Sequence, residues 1–206
     1  MKKTILFLLM ACLSIAINAQ GTLSAKKQVL EMVMMKTERF AEYLEKIGTT
    51  NAVSWEEKTR IREKEVPHLF LKYEERKMIT NYGPGGKNKT VRKMPSYFER
   101  LQQQSMQNIK TRRVYKVTID YHASLNEGGD DLKWIFVKEH SSGCKEYHAE
   151  LKMNQIYLIQ RMDGVEVVYS KEEEDQKTII VTMLVCPNGT TKVALGDVTR
   201  IERMNE

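Results

Sequence analysis

Histidine and cysteine are scarce in this chain, at four and three residues of 206. His68, His122, His140 and His148 are scattered, and no Cys/His spacing matches a zinc site, so the sequence calls for no metal and no cofactor. Proline occurs only four times and no low-complexity linker or internal repeat interrupts the chain, which argues against a solenoid and against two tethered domains. Beyond the first twenty residues no apolar run reaches the roughly 18 residues that a membrane-spanning helix needs. No Ser/His/Asp ordering stands out. Gly83-Pro84-Gly85-Gly86 lacks the strand, lysine and helix that would make it a phosphate loop.

The N-terminus is where the pattern is strongest. Met1-Lys2-Lys3 is a basic start, and Ile5 to Ile17 is an apolar stretch of about 13 residues. That combination reads as a bacterial secretory signal, too short and wrongly flanked for a membrane span. Cleavage after Ala19 is the preferred end, giving a signal peptide over 1–19 and a mature chain over 20–206. The alternative is a lipoprotein box, Leu9-Met10-Ala11-Cys12, with the lipid on Cys12. The residues after Cys12 stay apolar where a tether is expected to be polar, which favours the free form. The chain is therefore expected to be exported, to the periplasm or the exterior, with Cys12 lipidation as the alternative.

About 187 mature residues are enough for one sizeable core. Export leaves Cys144 and Cys186 as an even pair in an oxidising compartment. A bridge between them would close a loop worth about 4 kcal/mol by chain entropy. The competing reading is two small buried hydrophobes that never meet.

Charge is unevenly spread. The whole chain carries +6, and loss of Lys2 and Lys3 brings the mature form to +4. Residues Lys77–Arg113 hold nine basic and one acidic residue, whereas Val114–Glu206 hold 11 and 16. A basic middle and an acidic second half make a dipolar surface.

Periodicity divides the chain into a helical first half and a stranded second half. Leu30, Val33, Phe40, Leu44 and Ile47 recur at helical spacing, so one amphipathic helix is expected over Ser24–Ile47. Ser54-Trp55-Glu56-Glu57 is a capping box opening a second helix, which should stop before Pro67. A first strand is expected over Glu75–Tyr82 and a third helix from Ser96 to about Asn108. From Thr111 the period becomes two, with Val117, Ile119 and Tyr121 alternating with Thr118, Asp120 and His122. Asp163-Gly164 and Asn188-Gly189 mark hairpins, and Glu172-Glu173-Glu174-Asp175 reads as a solvated hairpin end. The plan is α+β: N-terminal helices packed on a curled antiparallel sheet of about five or six strands, in a single domain.

The element order and the stretches "IQRMDGVEVVY" and "KTIIVTMLVCPNGTTKVALGDV" resemble exported Bacteroidetes proteins of the nuclear transport factor 2-like superfamily, a cystatin-like cone. The resemblance implies a cone-shaped sheet that can enclose a pocket. It implies no single activity, because such folds host many.

Within that pocket the resemblance allows an Asp or His to act. Asp120 and His122 are the best candidate pair, since i,i+2 on a strand puts them on one face where the carboxylate could orient the imidazole. Their face also carries Lys116, Thr118 and Ser124, the pattern of a wet surface, so catalysis is not favoured. The stronger candidate is basic. Lys87, Lys89, Arg92 and Lys93, then Lys110, Arg112 and Arg113, flank the third helix with tyrosines nearby. Such a patch could meet an acidic protein surface, an anionic glycan or lipid headgroups, and its bland counterpart is a solvated basic loop. Export argues against nucleic acid. The expected function is a non-catalytic binding or assembly module of the bacterial envelope, met by an envelope protein or an anionic glycan or lipid, with a homodimer through the sheet as a further mode. The alternatives are a pocket enzyme or small-molecule carrier, and a scaffold subunit of an envelope secretion or conjugation complex.

Overall fold

The helix that opens the described chain spans residues 28–48 (α1) and ends at the glycine expected to stop it. The computed structural model describes residues 28–82, 88–110, 114–123, 132–163 and 165–203. The signal segment with Cys12 and Ala19, together with Lys87, Arg112, Arg113 and Gly164, lies outside them. Val33, Phe40, Leu44 and Ile47 of α1 are buried in one hydrophobic cluster, while Leu30 is only half-buried. On the wet face Lys46 Nζ donates to Glu42 at 2.5 Å, the i,i+4 pair that the spacing predicts.

Ser54 caps α2 (Trp55–Arg60), its Oγ accepting from Glu57 N at 3.1 Å. The expected uniform helix does not continue. It loosens into a π turn over Ile61–Glu65 and tightens into a 3-10 turn over Val66–Leu69 that contains Pro67. The proline, which has no N–H to donate, sits in the first turn of that short element and is tolerated there. A second 3-10 turn, Tyr73–Glu75, leads into the sheet.

Among the described residues seven strands form the sheet: β1 (Lys77–Tyr82), β2 (Asn88–Lys93), β3 (Val114–Ala123), β4 (Ile135–Glu139), β5 (Lys145–Asp163), β6 (Glu166–Val185) and β7 (Thr191–Arg203). Helix α3 (Met94–Lys110) intervenes between β2 and β3. The strand order is β2-β1-β7-β6-β5-β3, with β4 also on β5. β3 pairs with Met153–Met162 and β4 with Lys145–His148, so the two occupy one edge of β5 in succession. Among the described residues the strands pair antiparallel except β1 with β7, which are parallel at Met78 and Val198, and a lone parallel bridge joins Phe70 to Leu195 of β7.

The α+β plan and its mostly antiparallel sheet are as expected, and β2 is an added strand. β2 reads as a basic loop because Asn-Lys-Thr-Val-Arg-Lys has a single large apolar residue, and its pairing with β1 makes it a strand. It runs directly into α3, which starts at Met94, so Ser96 lies inside the helix and does not cap it. The acidic run is also not a hairpin end. Glu172 to Asp175 sit mid-strand in β6, opposite Leu158 to Gln155, because β5 continues beside them without a break.

Helices and sheet meet at Phe40. Its ring makes edge contacts with Phe70 at 5.8 Å and Phe98 at 6.0 Å, joining α1 to the 3-10 segment and to α3. Leu151, Ile179, Val181, Leu195 and Val198 supply the sheet side of the same cluster. Among the described residues β7 pairs with β6 from Asp175 onward, so β3, the distal half of β5 and residues 166–174 of β6 form a three-stranded arm beyond the described end of β7. At about 3.3 Å per residue the free half of β6 is about 30 Å long.

Candidate functional site

Two turns at one end of the sheet frame the site. His140 N donates to Cys144 O at 2.9 Å and Gly143 N to His140 O at 2.8 Å, closing the β4–β5 turn. Gly143 has φ +76°, and a Cβ there would meet Pro187 Cγ at 3.1 Å. The positive φ favours glycine, and a side chain there would also press on Pro187. Pro187 belongs to the β6–β7 turn, which Asn188 and Gly189 close as their dipeptide predicts. A Cys144–Cys186 disulfide, with Cα atoms 4.0 Å apart, joins the two turns.

β4 follows the edge of β5 from this corner. Phe136 faces Tyr147 with ring centroids 5.7 Å apart, and Lys138 faces Glu146. Val137 has no partner on β5, so it forms a bulge. All five residues of β4 are exposed, including three consecutive large apolar ones: Ile135 at 69 %, Phe136 at 53 % and Val137 at 44 %.

A buried carboxylate holds this strand down. Glu146 is almost fully buried, and its two oxygens lie 2.8 Å from His140 Nε2 and 2.8 Å from His148 Nε2. Lys138 Nζ stands 3.6 Å from the same group. Burial pushes the Glu146 carboxyl up, but the bonds from His148 and His140 and the charge of Lys138 together hold it below its usual value. An ionised carboxylate can only accept, so both imidazoles donate from Nε2. With both oxygens taken, Glu146 is an anchor for the edge strand and its turn, not a base aimed at a substrate.

The candidates from sequence fall in several places. Cys144 and Cys186 are brought together. Asp120 and His122 lie on β3, paired with Ile156 and Asn154 of β5. Lys89 lies in β2, and Arg92 pairs with the wholly buried Met78, its Nε buried with no hydrogen-bond partner among the described residues. Lys93 is exposed just before α3, whereas Lys110 is the last residue of that helix. At 1.5 Å per residue those ends are about 25 Å apart, so α3 separates the two halves of the basic run along its length.

Alternation places Glu146 and His148 on one face of their strand, but a turn separates both from His140, so the network as a whole is not legible in sequence. The exposed apolar triplet had a signal: Ile135-Phe136-Val137 breaks alternation in a short strand flanked by charges. No family model, curated protein or solved structure matches this chain.

Proposed function

We propose that this chain is a non-catalytic binding module of the bacterial envelope, and that it engages an extended segment of a protein partner along the free side of β4. The observation that carries the reading is the run of exposed Ile135, Phe136 and Val137 on an edge strand. An edge strand offers unpaired backbone groups, and a consecutive apolar run beside them gives a partner segment both hydrogen bonds and contact area. The Glu146 network and the Cys144–Cys186 bridge fix the strand in advance, which lowers the ordering cost of binding.

Export by the Met1–Ala19 segment supplies the compartment in this proposal, and a paired Cys144–Cys186 suits an oxidising one. The order of helices, an early strand, a further helix and long hairpin-linked strands supports kinship with the nuclear transport factor 2-like cone.

A photo-crosslinking amino acid placed at Phe136, with Val91 on the far edge strand as the comparison site, tests the reading in envelope fractions of the producing cell. The expected result is a discrete covalent protein adduct from position 136 and none from position 91. Adducts from Val91 alone would move the interface to the opposite edge, and no adduct at either position would reject the binding edge.

A further inference from the structure

Lysines bracket the exposed apolar run of the β4 edge. Lys133 lies before it and Lys138 after it, and both are exposed. Lys138 has a carboxylate in reach: its Nζ stands 3.6 Å from Glu146, and its side chain is 51 % exposed where that of Glu146 is 7 %. The two imidazoles stand closer to the same carboxylate, at 2.8 Å each. Of the three groups around Glu146, the lysine is the farthest and the most solvated.

With both imidazoles neutral, the charges of Lys138 and Glu146 balance. Histidine is the side chain that ordinarily changes charge between about pH 5 and 8, whereas a glutamate does so near about 4.3. The bonds and charges around Glu146 hold it lower than that despite its burial, so it stays an anion while the imidazoles gain protons. Each histidine side chain is 31 % exposed, so those protons arrive from solvent. A charged imidazole still donates from Nε2, and its bond to the carboxylate strengthens. Three cations then crowd one anion, and their repulsion falls on the member with the longest and wettest contact, Lys138. The neighbouring charges do not offset this. Glu150 follows His148 on the same face of β5, and Lys192 of β7 lies in register with Leu184, the residue of β6 opposite Glu146, so they add one charge of each sign. Thr182 of β6 and Ile135 of β4, the residues paired with His148, are uncharged, and Glu139 pairs with Lys145.

We propose that the His140–Glu146–His148 cluster is a pH sensor for the β4 edge: acidification charges both imidazoles, releases Lys138 from Glu146, and fits the edge to an extended segment with an apolar centre and acidic flanks. The flanks are acidic because Lys133 and Lys138 bracket Ile135, Phe136 and Val137, and every charge that acid adds here is positive. The partner in this inference rests on the β4 reading above, whereas the sensor does not.

Two measurements keep them apart. In the full mature chain without a partner, the Lys138 Nζ resonance followed from pH 8 to 5 should shift in step with the ring signals of His140 and His148. In His140→Gln/His148→Gln, whose side-chain amides can still donate to Glu146, it should not shift over that range, with circular dichroism confirming the fold. Photo-adducts from position 136 in envelope fractions should be roughly fivefold more abundant at pH 5.5 than at pH 7.5, the scale of one partly exposed ion pair. That rise should fade in high salt and be absent from the double variant. A wild-type Lys138 signal that ignores the histidine titration overturns the sensor, as does an equal rise in the double variant. Adducts that become scarcer at pH 5.5 overturn the acidic partner. A Lys138 shift with no adduct at either pH strikes the binding edge and upholds the sensor.

Discussion

A lysine buried beneath a helix end needs acceptors for all three of its N–H groups, and Lys58 has them. It is 2 % exposed, and Nζ donates to Ile47 O at 3.1 Å, Thr49 O at 2.5 Å and Ser105 Oγ at 2.5 Å. One side chain thus satisfies carbonyls at the C-terminal end of α1 and ties α2 to α3. Lys58→Met removes the donor from Ile47 O and Ser105 Oγ, leaves Thr49 O only its bond from Ser105 Oγ, and should lower stability by about 2–3 kcal/mol in denaturant unfolding at neutral pH. Burial also lowers the ammonium pKa to about 8, from the ordinary lysine value of 10.5 that the unfolded chain keeps. Between those values the unfolded state binds more protons, so wild-type stability should rise with pH relative to Lys58→Met, by at most about 1.4 kcal/mol per pH unit. Below pH 8 the difference should be flat. Parallel stability curves for the two proteins from pH 7.5 to 10.5 would show that the lysine is not linked to folding in this way.

At the scale of elements, the long β5–β6 hairpin decides the shape of the sheet, and its open end is where the disulfide sits. Cys144 and Cys186 are 42 residues apart, a loop whose closure is worth about 4 kcal/mol by chain entropy. The ladder beside it, Lys145 with Val185 and onward, forms regardless of the bond, so Cys144→Ser/Cys186→Ser should fold and lose up to that amount. Thermal melts of oxidised and reduced wild type beside the double variant check this: reduction should shift wild type onto the variant, and leave the variant unmoved. The elements legible in sequence were those whose own residues specify them. α1 has its apolar stripe, α2 its Ser54 cap, and the β6–β7 turn its Asn-Gly. Others were set from outside. β2 exists because β1 pairs with it, and the acidic run stays in strand because β5 runs alongside. The site was less legible for the same reason. Glu146 meets His140 across a turn, a contact that periodicity cannot express.

The whole molecule has helices on one side of its sheet and open strand edges elsewhere, which raises the question of what keeps those edges from pairing with other copies. Val165, Val167, Val168 and Tyr169 are exposed at the arm's end, as are Ile135, Phe136 and Val137 on β4, and long apolar edges invite association. The sheet blunts them in two ways. Lys171 and Glu172 put exposed charge on the arm, and the bulge at Val137 breaks the regular row of backbone donors and acceptors on β4. A partner segment fitted to the bulge can still dock, whereas a straight strand from a second copy cannot follow it. Deleting Val137 should straighten β4 without disturbing its other pairings, since Phe136 already faces Tyr147 and Lys138 already faces Glu146 on consecutive residues of β5. The variant should then associate more strongly than wild type in sedimentation velocity over a matched concentration series, and the added association should vanish when Phe136 is also changed to Lys. If the deletion leaves sedimentation unchanged, the bulge does not guard the edge, and the specificity of the β4 surface must come from its side chains alone.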